Sequence, residues 1–575
     1  MRDTASENTR ILMDVMMARG VKSIVLSPGS RNAPLLIAAE ARPELRKYMV
    51  ADERTAAFTA LGMALVSKQP VAIACTSGTA LYNYAPAVAE AYYQRIPLIV
   101  ISADRPAQWI DQDDSQTLRQ FGALSNIVKE SYNIPLETEA PGRCANPRFG
   151  TEKHWFVNRL VNEAMTTATT GLPGPVHINI QLDNPLGGMI DREPDAAGDE
   201  RTVTILENRS GLPQHTLDEL CREMMEKKIL VVAGFMQPDD RLNSALNAFA
   251  TLPNVTMMCE TISNIHAGSG AYMIDSLLTR LSAKERERLK PDLVISIGGA
   301  LVSRMLKEYL RGCEGLRHWK LADSAVASDC FQRLDMQIEC EPARFFRGAY
   351  SFITHRLKKG TEIAHPGFAC EWEMARKMAR ETNQKKLKGY GWSELTALRS
   401  LLGSLPSDFN LFLSNGTPIR YSQICMGGIP HACYCNRGVS GIDGTNATAF
   451  GVATASKRPT LLVTGDLSFS YCPQILGMKE TAPEMRIVVV NNSGGGIFRF
   501  IRTTRDLPMR EEYFCAPPVL PLEKLCEAYG CKYLRAETLE ELEEAKEELL
   551  KRPHTLLEIA VDPQQSADVL IDYLG

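Results

Sequence analysis

The stretch TLLVTGDLSFSYCPQILGMKETAPEMRIVVVNNSGGGIF, residues 460–498, decides the fold class. It contains two short aliphatic runs, 460–464 and 486–490, and each is followed at once by polar or small residues. Aliphatic runs without polar alternation are typical of parallel strands that are buried on both faces. The intervening segment is long enough for a crossover with a helix that starts at about Ser468. The stretch therefore predicts a strand–helix–strand unit of a parallel α/β sheet.

The same pattern recurs along the whole chain. Further runs of this kind are SIVLSPG (23–29), VAIACTSG (71–78), LIVISADRP (98–106), VHINI (176–180), ILVVAGF (229–235), LVISIGG (293–299), NLFLSNG (410–416) and LLEIAV (556–561). Helix-like segments such as 79–95 and 539–552 lie between them. Alternating strands and helices predict parallel sheets, and such sheets bind ligands beyond the carboxyl ends of their strands.

Two segments read as linkers. Residues 182–200 are rich in Pro, Gly and acidic residues, and residues 357–390 combine a Gly/Pro-bearing loop with a charged, helix-like segment. A chain of 575 residues is too long for one core. We therefore predict three doubly wound α/β domains with parallel sheets, at residues 1–185, 200–356 and 390–575.

The composition excludes several classes of protein. The formal net charge is −4 and 45% of the residues are hydrophobic, so there is no basic footprint for nucleic acid or anionic lipid. No apolar run is long enough for a membrane span, and the first residues lack the apolar core of a signal peptide. The 15 cysteines are scattered without a CxxC pair. We expect a cytoplasmic protein with reduced thiols and no membrane or nucleic-acid partner.

The chemistry is concentrated at the two strand ends of the opening stretch. Asp466 follows the first strand, and Asn492 follows the second, ahead of three glycines. If the strands are neighbours, the Asp466 carboxylate, the Asn492 amide oxygen and a main-chain carbonyl near Gly494 supply three hard oxygen ligands. Mg²⁺ prefers such ligands and completes its shell with phosphate oxygens and water. The helix N-terminus after Asp466 would add N–H donors for a diphosphate. Taken separately, Asp466 could be a helix cap and Asn492 a turn residue.

The GDLS segment at 465–468, followed by Asn491 and Asn492, resembles the thiamin diphosphate (ThDP) motif GDG…NN, with Leu467 in place of the second glycine. Other segments resemble one family within that superfamily, the 2-succinyl-5-enolpyruvyl-6-hydroxy-3-cyclohexene-1-carboxylate synthases. These segments are SPGSRNAPL (27–35), DERTAAF (52–58), TSGTA (76–80), SADRP (102–106) and CNRGVSGIDG (435–444). The resemblance extends over nearly the whole chain and implies a pyrimidine-binding, a central and a diphosphate-binding domain.

The resemblance implies a catalytic role for Glu53. In ThDP enzymes a glutamate of the pyrimidine-binding domain hydrogen-bonds N1′ of the cofactor, and a shielded carboxyl with a raised pKa suits that task. Without the resemblance, Asp52 and Glu53 would simply suit the start of a helix. The residues implied to bind the cofactor are Glu53, Gly416, Ile442, Gly465, Asp466, Leu467, Ser468, Asn492, Ile497 and Phe498. Those implied for the metal, Mg²⁺ or Mn²⁺, are Asp466, Asn492 and Gly494.

The implied reaction joins two dicarboxylates. 2-Oxoglutarate is decarboxylated, and the remaining four-carbon unit adds in 1,4 fashion to isochorismate in menaquinone biosynthesis. Arginine suits such substrates because it binds carboxylates bidentately and keeps its charge when desolvated. The implied substrate residues are Ser30, Arg31, Arg105, Gln116, Arg304, Arg420, Arg437, Phe498 and Ile501. The chain departs from the family at two points, with Gly416 where Ser is frequent and Met305 after Arg304 where a second cation is common.

Three other interpretations stay open from the sequence. One is another ThDP carboligase or decarboxylase, such as an acetolactate-synthase-like enzyme. The second is a nicotinamide oxidoreductase, although no GxGxxG follows a strand. The third is a non-catalytic subunit with the same fold. The resemblance also implies that Glu53 and Asp466 of one site come from different chains, and hence a homo-oligomer, at least a dimer and by resemblance a tetramer.

Overall fold

The computed structural model describes residues 2–137, 151–192, 200–206, 211–266, 272–323, 328–425, 432–478 and 484–575. The first third contains β1 (Arg2–Thr4), α1 (Glu7–Ala18), β2 (Ser23–Leu26), α2 (Ala33–Glu40), β3 (Arg46–Met49), α3 (Glu53–Ser67), β4 (Val71–Cys75), α4 (Ala80–Asn83), α5 (Ala85–Gln94), β5 (Leu98–Asp104), β6 (Ser131–Ile134), α6 (Glu152–Thr169), β7 (Val176–Gln181) and β8 (Met189–Asp191).

The middle of the chain contains α7 (Gln214–Met225), β9 (Ile229–Ala233), α8 (Asp240–Phe249), β10 (Val255–Cys259), α9 (Ile274–Arg280), α10 (Ala283–Arg288), β11 (Leu293–Ile297), α11 (Arg304–Gly312), β12 (Arg317–Ala322), β13 (Leu334–Glu339), α12 (Pro342–Lys358) and α13 (Phe368–Lys388).

The last third contains α14 (Glu394–Gly403), β14 (Asn410–Leu413), α15 (Thr417–Cys425), β15 (Ala432–Tyr434), α16 (Thr445–Ser456), β16 (Thr460–Gly465), α17 (Asp466–Ser470), β17 (Met485–Asn491), α18 (Leu522–Tyr529), β18 (Lys532–Ala536), α19 (Leu539–Lys551), β19 (Thr555–Ala560) and α20 (Pro563–Leu574).

The chain divides into two compact units. The first unit comprises residues 1–207, 438–457 and 478–483, and the second comprises 208–437, 458–477 and 484–575. The three large sheets lie within the three segments that the sequence predicts as domains, although the exact domain boundaries stay a prediction.

The first unit is built on a six-stranded parallel sheet of order β3-β2-β4-β5-β7-β6. The sheet packs against α1, α2 and α6, and a two-stranded antiparallel ribbon joins β1 to β8. Helices α3 and α16 pack backbone to backbone. A Cβ atom placed on Gly62 would lie 2.0 Å from the carbonyl oxygen of Thr448, and one on Gly451 would lie 2.0 Å from that of Thr59. Glycine is therefore required at both crossing points.

The second unit holds two parallel sheets. The sheet of the middle segment has the order β10-β9-β11-β12-β13 and helices on both faces: Val231 of β9 packs with α7, α8 and α12, and Leu230 packs with α9, α11 and α13. The sheet of the last segment has the order β15-β14-β16-β17-β19-β18. The prediction of an α/β fold with three parallel sheets is thus confirmed.

The two six-stranded sheets have the same strand order. In each, the second strand in sequence lies outside the first, and the last two strands are exchanged at the opposite edge. The chain order reverses between β2 and β4 in one sheet and between β14 and β16 in the other. Such a reversal opens a crevice at the carboxyl ends of the strands, which is the usual ligand position in α/β sheets. Both crevices carry residues that the sequence assigns to the cofactor.

Two sheet edges are covered by side chains. At β15, the Asn264 side chain accepts from the Cys433 N–H at 2.7 Å and donates to the Cys433 carbonyl at 2.9 Å. At β10, the Arg376 guanidinium donates to the Met257 carbonyl at 2.7 Å. Within the described ranges, no helix has the length and apolar character needed to cross a membrane.

Candidate active site

The ends of β16 and β17 meet, as the sequence predicts. The two strands pair in parallel, and Asp466 directly follows β16 and is 3% exposed. One oxygen of its carboxylate accepts from the Leu467 N–H and the other from the Gly494 N–H, both at 2.7 Å. Burial raises the pKa of Asp466 to about 6, against the opposing effect of these two N–H groups. A buried carboxylate therefore holds the loop of the neighbouring strand.

Asn492 presents a free amide oxygen in the same region. Its side-chain nitrogen donates to the Glu394 carboxylate at 2.9 Å, whereas its Oδ1 atom is buried without a hydrogen-bond partner. The Gly494 carbonyl accepts from the Gly496 N–H at 2.8 Å and keeps a second lone pair. The Asn492 amide oxygen is therefore available to accept from, or to coordinate, a ligand.

These three groups fit a hard divalent cation. Carboxylate, amide and carbonyl oxygens are ligands that Mg²⁺ accepts, with phosphate oxygens and water in its remaining positions. Among the described residues there is no cluster of three or more His, Cys, Asp and Glu side chains able to hold a metal, as a zinc site would require. The chemistry of Asp466, Asn492 and Gly494 therefore fits an oxygen-based metal site, and their role as ligands stays a prediction.

Two buried charged residues that the sequence analysis does not identify complete this region. Glu394 is 2% exposed at the start of α14, and burial raises its pKa to about 7 while the Thr417 hydroxyl and the Asn492 amide lower it. Arg499, 3% exposed, donates to the carbonyl of Asn492 at 2.9 Å and to that of Ser493 at 3.0 Å. Glu511 pairs with Arg499 at 2.6 Å. Arg499 directly follows the quoted stretch, but nothing in its spacing signals this contact.

The remaining predicted residues of this strand pair lie around the same loop. Helix α17 begins at Asp466, slightly before the predicted start near Ser468, and is five residues long. Gly465 precedes it with open space at its Cα, and Leu467 and Ser468 lie in its first turn. Ile497 and Phe498 lie half-buried in the turn Gly496–Arg499, with Ile501 just beyond it.

Two of the predicted arginines come together near β14. Arg420 donates to the Gly416 carbonyl at 2.7 Å, and Arg437 donates to the Asn415 side-chain oxygen at 2.9 Å. Burial lowers the pKa of Arg420, and the nearby charge of Arg437 lowers it further. Two cations this close favour an anion such as a substrate carboxylate between or beside them.

Gly416 has a backbone reason to differ from the serine that is frequent at this point. Its φ is +97°, in the left-handed region that side chains other than glycine rarely adopt. The carbonyl that this turn presents is the one that Arg420 contacts. The next residue, Thr417, carries a hydroxyl and is buried at the start of α15.

Arg437 also contacts the loop that follows β11, and Glu260 holds that loop in place. The carboxylate of this buried residue accepts from the N–H groups of Val302 and Ser303 at 2.8 and 2.7 Å. The preceding carbonyl, that of Leu301, accepts from Arg437 at 3.1 Å. Burial raises the pKa of Glu260 to about 7, opposed by these N–H groups and by the charge of Arg437. Sequence reasoning misses Glu260 because only tertiary packing brings it to Arg437.

In the first unit, Glu53 is the first residue of α3 and Asp52 is its N-cap. The Asp52 side chain accepts from the Thr55 N–H at 2.9 Å, so the capping interpretation is correct for Asp52. Glu53 is half-buried in the single chain. Burial is the main cause of the raised pKa of Cys75 and of Tyr84, and the charge of Glu53 contributes to both. Glu53 therefore lies near the carboxyl end of β4, next to the crevice of its own sheet.

A second arginine pair lies in the first unit. Arg31 is buried and donates to the Leu182 carbonyl at 2.9 Å, and Arg105 pairs with Asp114 at 2.6 Å. Burial lowers the pKa of Arg31, with a further contribution from the charge of Arg105. Ser30, next to Arg31, is exposed, and so is Gln116, whose Cβ lies 3.6 Å from the Cβ position of Gly78.

Ile442 lies half-buried in the segment before α16. The start of that segment is fixed by Glu90 of α5, whose carboxylate accepts from the Gly438 and Val439 N–H groups at 2.5 and 2.7 Å.

Arg304, by contrast, is a surface residue. It begins α11, its side chain is 79% exposed, and it pairs with Glu308 at 2.6 Å. The substrate roles of Arg304 and of the other predicted residues stay predictions.

Comparison with known proteins agrees with this geometry. Residues 7–123 match the N-terminal, and residues 426–559 the C-terminal, thiamine pyrophosphate (TPP) binding domain of thiamine pyrophosphate enzymes.

Three relatives are each named 2-succinyl-5-enolpyruvyl-6-hydroxy-3-cyclohexene-1-carboxylate synthase. The one from Porphyromonas gingivalis is 38% identical over 98% of this chain and 96% of its own length. Those from Flavobacterium johnsoniae and Cytophaga hutchinsonii are 34% and 35% identical, over 93% and 97% of this chain and 92% and 96% of their own lengths. The chain therefore belongs to the 2-succinyl-5-enolpyruvyl-6-hydroxy-3-cyclohexene-1-carboxylate synthase family of thiamin-diphosphate-dependent enzymes.

Proposed function

We propose that the protein decarboxylates 2-oxoglutarate and adds the resulting four-carbon unit to isochorismate, releasing CO2, as a step of menaquinone biosynthesis. The observation that carries the proposal is the junction of Asp466 with the Gly494 loop beside the unpartnered amide oxygen of Asn492. In a chain of this family, that junction is a cradle for a divalent cation and a diphosphate. We assign the cation as Mg²⁺ or Mn²⁺, held by Asp466, Asn492 and the Gly494 carbonyl.

Thiamin diphosphate supplies the electron sink that decarboxylation of a 2-oxo acid requires. The chain contributes the groups around it. Glu53 would hold a proton in contact with the aminopyrimidine. Ile442 would pack its apolar side chain against the cofactor. Ile497, Phe498 and Ile501 would exclude water from the reacting carbon, which favours carbon–carbon bond formation over simple protonation.

The two arginine pairs, one in each unit, match the charge of the substrates. Arg31 with Arg105, and Arg420 with Arg437, form two cation pairs, and the pKa of one member of each pair is lowered by burial and by its neighbour. A carboxylate bound at either pair relieves that repulsion and gains charge-assisted hydrogen bonds. Two dicarboxylate substrates would use such pairs.

The decisive experiment supplies the purified chain with thiamin diphosphate, Mg²⁺, 2-oxoglutarate and isochorismate. We expect isochorismate to disappear in step with CO2 release. Replacing 2-oxoglutarate by pyruvate is the control, and we expect no turnover with it. Turnover with pyruvate but not with 2-oxoglutarate and isochorismate would instead support the acetolactate-synthase-like alternative, which the named relatives do not favour.

The arginine pairs can be tested separately. Arg420→Ala and Arg437→Ala are expected to raise KM for one substrate at least tenfold, since about 1.4 kcal/mol of lost charge-assisted contact is a factor of ten. Arg317→Ala is a matched control, because Arg317 of β12 pairs with Glu223 of α7 and with Asp335 of β13. An equal rise in KM for Arg317→Ala would show that the loss reflects general destabilisation.

We further propose a cytoplasmic homo-oligomer, at least a dimer and by family resemblance a tetramer, in which Glu53 and Asp466 of one site come from different chains. The formal net charge of −4 gives no excess of basic residues for binding nucleic acid, which supports small-molecule substrates instead.

A further inference from the structure

Glu394 is a buried charged residue next to the cradle that neither the sequence motifs nor the family assignment accounts for. It is the first residue of α14, and Ser393 already caps that helix by accepting from the Thr396 N–H. Its carboxylate accepts from the Asn492 side-chain nitrogen at 2.9 Å, and the charge of Asp466 acts on it. Burying a carboxylate costs free energy that a helix cap does not need, so its contact with Asn492 requires an explanation.

The contact fixes which end of the Asn492 amide faces which way. An amide group has a donor end and an acceptor end of almost equal size, and a carboxylate can only accept. The NH2 end must therefore face Glu394, and Oδ1 is left on the other side, buried and without a partner.

Two further contacts hold the rest of the residue. Arg499 holds the main-chain carbonyl of Asn492 at 2.9 Å. A Cβ on Gly496 would lie 2.5 Å from Asn492 Nδ2, so the loop packs closely on the amide plane.

We propose that Glu394 is a positioning residue that directs the Asn492 amide oxygen toward the divalent cation. This inference rests on the metal assignment of the proposed function. Hydrogen-bond partners of metal ligands typically change metal affinity by 10- to 100-fold when they are removed, because the free ligand must then be oriented at the moment of binding.

Glu558 provides a matched control. It is buried, 4% exposed, and its carboxylate accepts from the side-chain nitrogen of Asn491 at 2.7 Å. The contact has the same chemistry and involves the adjacent asparagine, but Asn491 is not among the predicted ligands. Replacing Glu558 therefore perturbs the end of β17 without changing the orientation of Asn492.

The test compares Glu394→Ala, Glu394→Gln, Glu558→Ala and the unmodified full-length chain. Each is titrated with Mn²⁺ at saturating thiamin diphosphate, and free Mn²⁺ is measured by electron paramagnetic resonance. Thermal unfolding of each chain is recorded without metal. We expect Kd for Mn²⁺ to rise at least tenfold in Glu394→Ala and less than about threefold in Glu394→Gln, whose amide oxygen still accepts from Asn492. In Glu558→Ala only the thermal midpoint is expected to fall.

Three results would overturn the inference: an unchanged Kd in Glu394→Ala, an equal loss in Glu394→Gln, or an equal loss in Glu558→Ala. The second would assign the effect to charge rather than orientation, and the third to general loosening of the loop. Failure of the unmodified chain to bind Mn²⁺ would overturn the metal assignment and this inference together. Mn²⁺ binding without turnover of 2-oxoglutarate and isochorismate would overturn only the proposed reaction.

Discussion

Asp52 and Glu53 are adjacent at the start of α3, yet their side chains meet different environments. Asp52 accepts from the N–H of Thr55 and satisfies one of the free donors of the helix end. The charge of Glu53 instead reaches Cys75 and Tyr84 near the end of β4. A motif identifies the pair, but only the fold separates the structural carboxylate from the one that lies beside the crevice.

Glu53→Gln is expected to lower turnover by about 100-fold or more, because an amide cannot share a proton as a carboxyl group does. Binding of thiamin diphosphate and Mg²⁺, measured by titration calorimetry, should stay within about threefold of the unmodified value, since the predicted cradle lies at Asp466 and Asn492.

Asp52→Ala is the control, with an expected loss of about 1 kcal/mol of stability from the missing cap and nearly unchanged turnover. The reverse pattern, an active Glu53→Gln and an inactive Asp52→Ala, would show that the assignment of the two residues is wrong.

At the scale of elements, the sequence identifies every interior strand of the three large sheets except β12, and it misses the edge strands. All ten aliphatic runs named from the sequence are strands of the structure, among them β9, β11 and β17. The strands that it misses in the three large sheets are the six edge strands β3, β6, β10, β13, β15 and β18, together with β12. Interior strands are apolar on both faces, whereas most edge strands and β12 carry polar or charged residues that break the pattern.

The same limit applies to the candidate site. Asp466, Asn492 and Gly494 follow interior strands, so their meeting could be predicted from strand order alone. Glu394 and Glu260 reach the site through helix and sheet packing, and a buried glutamate has no local sequence signature. Only the approximate start of α17 is predicted from the sequence, and the structure follows this short helix with a separate 3₁₀ helix, Pro473–Gly477.

Helix α6 makes a pH-dependent contact. His154 hydrogen-bonds Glu200 at 3.0 Å and Glu7 at 3.1 Å, and these carboxylates raise its pKa from 6.5 to about 9. The folded chain therefore binds this proton more tightly than the unfolded chain. The resulting stabilisation is complete below pH 6.5 and is lost as the pH rises through about 9.

We expect His154→Gln to lower the urea midpoint at pH 6 and to match the unmodified chain above pH 9 or so. His215→Gln, at an exposed position of α7, should give a difference that does not change with pH. A constant difference for His154→Gln over the same range would contradict the assignment.

The α3–α16 crossing gives a second prediction at this scale. Gly62→Ala or Gly451→Ala places a methyl group against a main-chain carbonyl that cannot rotate away. We expect each to destabilise the chain by about 1–3 kcal/mol or more, measured by urea unfolding. Gly312→Ala, at the end of α11 with open space around it, should be neutral or slightly stabilising. A neutral Gly62→Ala would refute the close packing of these helices.

At the scale of the whole molecule, the proposed oligomer makes a test of subunit sharing possible. If Glu53 and Asp466 of one site belong to different chains, mixed dimers of Glu53→Gln and Asp466→Ala contain one intact and one doubly altered site. Random exchange should then restore about a quarter of the full activity, because half of the dimers are mixed and each has one good site of two.

The measurement is turnover before and after the two inactive variants are mixed under conditions that allow chains to exchange. Each variant mixed with itself is the control. No recovery, with exchange verified by a tagged chain, would place both residues of a site in the same subunit. A fully active monomer would contradict the oligomer as well.

At several sheet edges, side chains occupy the outward main-chain groups or carry charge, and this limits how copies of the chain can associate. Asn264 occupies the outward main-chain groups of Cys433 on β15, and Arg376 occupies the Met257 carbonyl of β10. The edge strand β3 carries Arg46 and Lys47. Covered or charged edges cannot template another strand, so they disfavour edge-to-edge aggregation of the cross-β kind. We therefore expect the edges at β3, β10 and β15 to resist fibril formation in a concentrated preparation.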